Sequence, residues 1–183
     1  MDATAIALEL DADERTIRRA IARGAIRASR PSPRRLIIDD EELRYLRARW
    51  RSLERLQRAL RTERNVAAGI LFGSVARGDD GPTSDVDLLV ELKKDSRASA
   101  ARLEERLSEA IGATVQITRA SDAERAPHVL LDVLEDGRPL VDRSGSWRRL
   151  QRRRNSLRRA AAQRTEHLNT RLTEAFGVEA VSQ

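Results

Sequence analysis

The spacing of hydrophobic and polar positions divides the chain into four segments, of which residues 1–39 form the first. A short apolar helix is predicted there, followed by a second helix that begins after the N-cap Asp13 and stops at Gly24. Two short β-prone runs around a tip rich in Pro, Ser and Arg then predict a hairpin. The apolar positions are Ile6, Leu8 and Leu10 in the first helix and Ile17 and Ile21 in the second.

The second segment, residues 40–64, predicts one long helix that opens with acidic residues, as suits the N-terminal end of its dipole. Its apolar positions are separated by three or four residues, which is the spacing of a coiled-coil seam. Such a helix either links two domains or pairs with another long helix. The seam consists of Leu43, Leu46, Trp50, Leu53, Gln57 and Leu60.

The third segment, residues 65–143, alternates between strand and helix patterns. "VAAGILF" and "DVDLLVEL" are continuous apolar runs typical of buried strands, and "ATVQIT" and "RPLVD" predict two more strands. Amphipathic helical stretches separate the later strands. We therefore predict an α+β fold with a small mixed β-sheet.

The fourth segment, residues 144–183, is predicted to be helical, with an apolar stripe through Trp147, Leu150, Leu157 and Ala161. Arginines occupy its other faces. Three interpretations stay open for them: a solvated helix face, partners for the acidic stretch at residues 39–42, or a surface for phosphate backbone or an acidic protein.

Composition narrows the choice of function. The chain has 183 residues and a formal net charge of +6, nearly all of its basic residues being arginine, which favours nucleic acid or nucleotide partners. A GC-rich genome, which favours arginine and alanine throughout its proteins, would explain the same bias. The absence of cysteine excludes disulfides, zinc ribbons and cysteine nucleophiles. No apolar run approaches the ~20 residues of a membrane span, so we expect a soluble, cytoplasmic protein with no membrane partner.

The stretch "ILFGSVARGDDGPTSDVDLLVEL" carries the candidate chemistry. Gly73 lets the backbone approach a ligand after the first strand, and Ser74 adds a hydroxyl and an amide donor for a phosphate. Asp85 and Asp87 lie on one face of the next strand, because alternate residues share a face. Two adjacent carboxylates repel unless a divalent cation lies between them, and Mg²⁺ completes its shell with substrate phosphates. These residues therefore predict a phosphoryl-transfer site for Mg²⁺ and a nucleoside triphosphate (NTP).

The same stretch resembles the signature of minimal nucleotidyltransferases, a branch of the polymerase-β-like superfamily, and the resemblance extends to an "EDGRPLVDR" ending. It implies transfer of a nucleoside monophosphate (NMP) from an NTP to a hydroxyl. By this resemblance the catalytic, metal-binding residues are Asp85 and Asp87, and the nucleotide-binding residues are Gly73, Ser74, Arg77 and Ser84.

The chain departs from this family at one position. Members usually carry a third carboxylate on the following strand, as a base or a metal ligand, where "ATVQIT" offers Gln116. A neutral amide cannot accept a proton at neutral pH. Glu91 lies roughly 13 Å beyond Asp87 along a strand, and Asp122 lies in a loop, so a substitute is not evident. We expect binding of Mg²⁺ and NTP, while turnover stays an open question.

The N-terminal segment resembles the winged helix-turn-helix of excisionase-like and MerR-like DNA-binding modules, in which a capped helix enters the major groove and a hairpin wing touches the backbone. A plain packing or dimerisation module is the alternative. By this resemblance the residues that face DNA are Arg15, Thr16, Arg18 and Arg19, with Arg30, Arg34 and Arg35 on or near the wing.

The two resemblances together suggest a regulatory or toxin–antitoxin setting, in which a toxin protein or tRNA is the acceptor. A homodimer would suit palindromic DNA. A transcriptional regulator with an impaired nucleotidyltransferase domain is the alternative function.

Overall fold

The computed structural model describes residues 2–32 and 35–176. Within these residues the chain forms nine helices and six strands, and none of the helices combines the length and hydrophobicity needed to cross a bilayer. The helices are α1 (Ala3–Glu9), α2 (Glu14–Arg23), α3 (Asp40–Thr62), α4 (Gly73–Arg77), α5 (Arg97–Ile111), α6 (Ala120–Ala123), α7 (Pro127–Asp136), α8 (Ser146–Arg152) and α9 (Arg154–Phe176). The strands are β1 (Ser29–Ser32), β2 (Arg35–Ile37), β3 (Val66–Phe72), β4 (Val86–Leu92), β5 (Val115–Arg119) and β6 (Arg138–Asp142).

The N-terminal elements form as their local signals predict, with one exception. The side chain of Asp13 accepts a hydrogen bond from the Thr16 N–H at 2.9 Å, and Gly24 ends α2 in the left-handed conformation with φ +89°. β1 and β2 pair as an antiparallel hairpin. The exception is Leu8, an apolar position of α1 whose side chain is 86% exposed although Ile6 in the same helix is buried.

Helix α3 packs within its own chain. Asp39 caps its first turn by accepting a hydrogen bond from the Glu42 N–H, and all six residues of the predicted seam are buried. The helix contacts α5, β3 and β6, and the Gln57 side-chain amide donates a hydrogen bond to the Leu140 carbonyl at 2.9 Å. One buried cluster includes residues of α1, α2, α3 and the sheet, so the N-terminal elements and the sheet share a hydrophobic core.

The predicted small mixed sheet is confirmed, with the strand order β5-β4-β3-β6. β3 is antiparallel to β4 and β6, whereas β4 and β5 are parallel. Side chains alternate along β4, so Leu88 and Val90 enter the core shared with α3 and α5. Leu89 lies on the opposite face, where it packs with residues of α6 to α9. Asp87 belongs to this second face.

Candidate nucleotide site

The two carboxylates of the candidate site lie where β4 begins. Asp85 immediately precedes the strand and Asp87 lies within it, and both are half-buried on either side of the buried Val86. Burial raises the pKa of the Asp87 carboxyl, the negative charge of Asp85 raises it further, and the Arg77 guanidinium partly opposes the rise. The arrangement therefore holds more negative charge than the neighbouring residues neutralise.

Gly73 makes this arrangement possible because it comes very close to Asp87. Its φ is +74°, and a Cβ atom on it would lie 2.6 Å from the Asp87 Oδ2 atom, far inside the contact distance of two unbonded atoms. The neighbouring Ser74 is half-buried in α4, and its hydroxyl has no hydrogen-bond partner among the described residues. That hydroxyl is available to a ligand beside the carboxylates.

The other two proposed nucleotide-binding residues hold the surrounding loop. The Ser84 hydroxyl accepts a hydrogen bond from the Gly81 N–H at 2.9 Å, which fixes the turn that leads into Asp85. Arg77 forms ion pairs with Asp79 at 3.0 Å and with Asp136 at 2.5 Å, and these hydrogen bonds raise the pKa of its guanidinium. Arg77 is thus a fixed positive charge at the end of α4.

Gln116 occupies the position expected of the missing third carboxylate. It is the register partner of Asp87 on the parallel strand β5, and its side-chain amide donates a hydrogen bond to the Asp85 Oδ2 atom at 2.5 Å. Neither suggested substitute serves here. Glu91 accepts hydrogen bonds from Ser144, Ser146 and Arg149 instead.

Asp122, the other suggested substitute, forms ion pairs with Arg119 and Arg125 instead. Within residues 2–32 and 35–176 there is no group of three or more His, Cys, Asp or Glu side chains that could hold a metal ion. The residues that are present fit one divalent cation: Asp85 and Asp87 supply two hard oxygen ligands, and bound phosphates would complete the shell.

A buried ion pair that the sequence analysis missed holds α4 in place. The Arg138 side chain, 1% exposed, donates to both carboxylate oxygens of Glu42 at 2.6 and 2.8 Å and to the Ala76 carbonyl at 2.7 Å. Its guanidinium stacks over the Tyr45 ring at 3.7 Å. The Tyr45 hydroxyl donates to the Val75 carbonyl, and burial raises its pKa to about 12. A lone arginine in the apolar "RPLV" strand was the available signal.

The residues predicted to face DNA lie apart from the carboxylates, at the N-terminal elements. Arg15, Arg18 and Arg19 are exposed on α2, although Arg18 pairs with Glu14 at 2.5 Å. Thr16 is half-buried, and its backbone N–H donates a hydrogen bond to the side chain of the N-cap residue Asp13. Of the residues predicted to lie on or near a wing, Arg30 lies in β1, Arg35 lies in β2 and Arg34 lies outside the described residues.

The opposite end of α2 docks on the sheet. The Arg23 guanidinium donates a hydrogen bond to the Pro139 carbonyl at 3.0 Å, and burial lowers the pKa of this arginine. Nearby, Arg27 donates through its side chain to the Asp136 carbonyl and through its backbone N–H to Glu42. The N-terminal elements are therefore joined to β6 and to the end of α7. Their binding of DNA stays a prediction.

Comparison with known proteins gives a family match and several similar folds. The family model described as "Polymerase beta, Nucleotidyltransferase" matches residues 54–146. No curated protein matches the chain. A crystal structure of a toxin–antitoxin with AMP-PNP is 16% identical, with a TM-score of 0.47 over 68% of this chain and 95% of that chain.

Two further structures are similar to the same extent. The toxin–antitoxin MntA–HepT, and a tri-AMPylated Shewanella oneidensis HEPN toxin in complex with MNT antitoxin, are each 15% identical with a TM-score of 0.45. Each match covers 70% of this chain and 96% of the other. The family match spans β3, α4 and β4, which carry the Gly-Ser pair and both aspartates. The chain belongs to the polymerase beta nucleotidyltransferase family.

Proposed function

We propose that this protein is a Mg²⁺-dependent nucleotidyltransferase that transfers NMP from an NTP to a hydroxyl group of a protein or an RNA. The observation that carries the proposal is the half-buried pair Asp85 and Asp87, packed against Gly73 and left without a neutralising partner of equal charge. A pair of like charges in this position attracts a cation, and the unpaired Ser74 hydroxyl beside it suits a phosphate.

The residues would divide the work as follows. Asp85 and Asp87 hold Mg²⁺, which when bound neutralises charge on the triphosphate and the leaving pyrophosphate. Ser74 and the backbone amides of α4 donate hydrogen bonds to phosphate oxygens, while Arg77, fixed by Asp136, contributes positive charge nearby. Ser84 keeps the loop that positions Asp85 in place.

The transfer itself forms one bond and breaks one. The acceptor oxygen bonds to the α-phosphorus, and the bond from that phosphorus to the bridging oxygen of pyrophosphate breaks. Because the Gln116 amide cannot take up a proton, the proton of the acceptor hydroxyl leaves to solvent. We therefore expect slower turnover than a site with a third carboxylate would support.

A second function is favoured by the hydrogen bond from Gln116 to Asp85. That bond occupies an oxygen that would otherwise be free for a catalytic cation. The protein would then bind Mg²⁺ and NTP without transfer and act as a transcriptional regulator. DNA would contact the exposed arginines of α2 and the β1–β2 hairpin, in the manner of a winged helix-turn-helix.

The biological setting we propose is a toxin–antitoxin or regulatory one in the cytoplasm. It rests on the resemblance of the Gly73–Leu92 segment to minimal nucleotidyltransferases and on the helix–turn–helix–hairpin order of residues 2–37. The acceptor would be a toxin protein or tRNA, and a homodimer would match a palindromic operator.

The deciding experiment is incubation with each α-³²P-labelled NTP and Mg²⁺, with tRNA or cell extract as the source of acceptor. We expect labelled acceptor with the native chain and none with the Asp85→Asn/Asp87→Asn variant. Asp132→Asn, an exposed aspartate on α7, is the matched control and should behave as the native chain does. Mg²⁺-dependent NTP binding without label would support the regulator. Absence of both would overturn the two functions together.

A further inference from the structure

Helices α8 and α9 carry eight arginines and one acidic residue between positions 144 and 167, and the structure divides those arginines into two sets of four. The first set holds the two helices against the rest of the chain through ion pairs and hydrogen bonds. Arg149 and Arg153 pair with Glu91 and Glu124, so the apolar stripe through Leu150 and Leu157 is held against the sheet. Of the three interpretations that the sequence leaves open for this run, pairing with residues 39–42 does not apply to these two arginines. The other two arginines of this set donate side-chain hydrogen bonds to backbone carbonyls, Arg154 to that of Leu134 and Arg164 to that of Arg125.

The second set faces solvent and consists of Arg148, Arg152, Arg158 and Arg159. None of the four side chains has a hydrogen bond or an ion pair within the part of the chain that the structure describes. Arg148 and Arg152 lie about one turn apart on α8, and Arg158 and Arg159 are consecutive residues of α9. The set is therefore a group of four unneutralised guanidinium groups that follow one another along the two helices, and we name it the outer arginine line.

We propose that the outer arginine line binds the phosphodiester backbone of a nucleic acid without reading its sequence. A DNA strand places one phosphate about every 3.4 Å along the helix axis, and Arg148 and Arg152 are separated by about 6 Å along α8, which is close to two such steps. Guanidinium groups match phosphate oxygens bidentately, which explains the use of arginine at all four positions.

An acidic protein is the less suitable partner for this surface. The core of a protein interface is usually made by exposed apolar and aromatic side chains. Among the residues whose side chains the structure describes, which end at position 167 in α9, the large hydrophobic side chain that stands exposed is Leu8 on α1. The residues between the arginines, such as Gln151 and Asn155, are exposed and polar. A phosphate backbone needs only such a charged and polar surface.

The proposal is independent of nucleotidyl transfer and of DNA binding by α2, because it depends on residues used by neither.

The test is a titration of a labelled 20-base-pair DNA duplex, a 20-base-pair RNA duplex and a 20-nucleotide RNA strand, each at four salt concentrations. The test variant changes all four residues of the outer arginine line to Gln. The control variant changes four other exposed arginines to Gln, namely Arg51, Arg55, Arg97 and Arg102.

Each phosphate contact contributes about −0.9 to the slope of log K against log salt for duplex DNA and about −0.7 for a single strand. We expect the test variant to lose about 3 to 4 units of slope and at least about 100-fold in affinity at 0.1 M salt. The control variant should keep the native slope. Unchanged melting temperatures would show that the fold is intact.

Four results separate the outcomes. Loss of slope on the DNA duplex or on the RNA probes supports the proposal and identifies DNA or RNA as the ligand. An unchanged slope in the test variant overturns it. Equal loss in the control variant overturns it as well, because binding then follows net charge alone. Competition by poly-glutamate at the same charge concentration as the probe would favour an acidic protein and also overturn it.

Discussion

Two charged pairs lie at the two ends of the short helix α4, and they differ in how their charge is compensated. At the C-terminal end, Arg138 donates to Glu42 and to the Ala76 carbonyl, and both side chains of the pair are at most 3% exposed. At the N-terminal end, Asp87 lies against Gly73, carries the same sign as Asp85 and is only half-buried. The first pair is neutralised within the chain and is structural. The second carries like charges that the chain does not neutralise, which is why we propose it as the nucleotide site.

The largest effect is expected from breaking the neutralised pair. Glu42→Ala leaves the Arg138 charge buried and unpaired, which should lower the free energy of unfolding by about 3–5 kcal/mol. Urea denaturation at neutral pH measures this. Glu41→Ala, at the exposed neighbouring position, should stay within about 0.5 kcal/mol of the native chain. A change below about 1 kcal/mol in Glu42→Ala would contradict the structural role.

The next largest effect is expected from adding a third carboxylate beside Asp85 and Asp87. Gln116→Asp places a proton acceptor beside Asp85 and removes the amide that bonds to it, so transfer should become about 100-fold faster with Mg²⁺. Single-turnover kinetics with a labelled NTP measure the rate. Gln116→Asn keeps an amide in a side chain of the same size as aspartate, so it is the matched control for Gln116→Asp. Equal rates in the two variants would show that position 116 takes no part in transfer.

The close approach of Gly73 to Asp87 is tested by a pair of glycine variants. Gly73 and Gly112 have φ values of +74° and +70°, so alanine at either position should cost about 1–2 kcal/mol in backbone strain. Only at Gly73 would the added Cβ meet a carboxylate, since a Cβ at Gly112 has no described atom within 4 Å. Mg²⁺-dependent NTP binding, measured by calorimetry, should weaken at least about 10-fold in Gly73→Ala alone. Similar affinities in both would argue against the contact.

The smallest effect concerns the pH dependence of stability. The pKa of Asp87 is raised above its ordinary 3.8, so the folded chain binds this proton more tightly than the unfolded chain. The contribution is favourable at low pH and is lost as pH rises from about 3.8 through the raised pKa. Asp87→Asn should therefore gain no more than about 0.5 kcal/mol over the native chain above this window.

With Mg²⁺ present at neutral pH, the native chain should be more stable than Asp87→Asn, because only the native chain keeps both carboxylate ligands. Thermal unfolding between pH 3 and 8, with and without Mg²⁺, compares the two chains. Asp132→Asn supplies the control for the loss of one negative charge at an exposed position. A stability difference that grows as the pH falls would contradict the direction of the Asp87 shift.

Sequence patterns predicted the elements whose signals are local. Asp13 and Gly24 mark both ends of α2, and the apolar runs of β3 and β4 fix the strands that bring Gly73 beside Asp87. The placement of Gln116 beside the aspartates followed from the family resemblance, which puts the third carboxylate on the next strand, and Gln116 is the register partner of Asp87 there.

Interactions between distant segments could not be read in this way. Arg138 and Glu42 are 96 residues apart, and an arginine at the start of a strand ordinarily suggests exposure. The arginines of α8 and α9 look alike in sequence. Their division into tethers and the outer arginine line depends on Glu91, Glu124 and two carbonyls that only the folded chain brings near.

Helix α3 places a strict condition on how the length of this chain can change. The helix is continuous for 23 residues, yet the family match begins at residue 54, in its middle. One inserted or deleted residue between Trp50 and Leu53 would rotate everything before it by about 100° about the helix axis. Leu43 and Leu46 would leave the core, and Glu42 would turn away from Arg138. Length variants of this protein should therefore differ in the loops and not within α3.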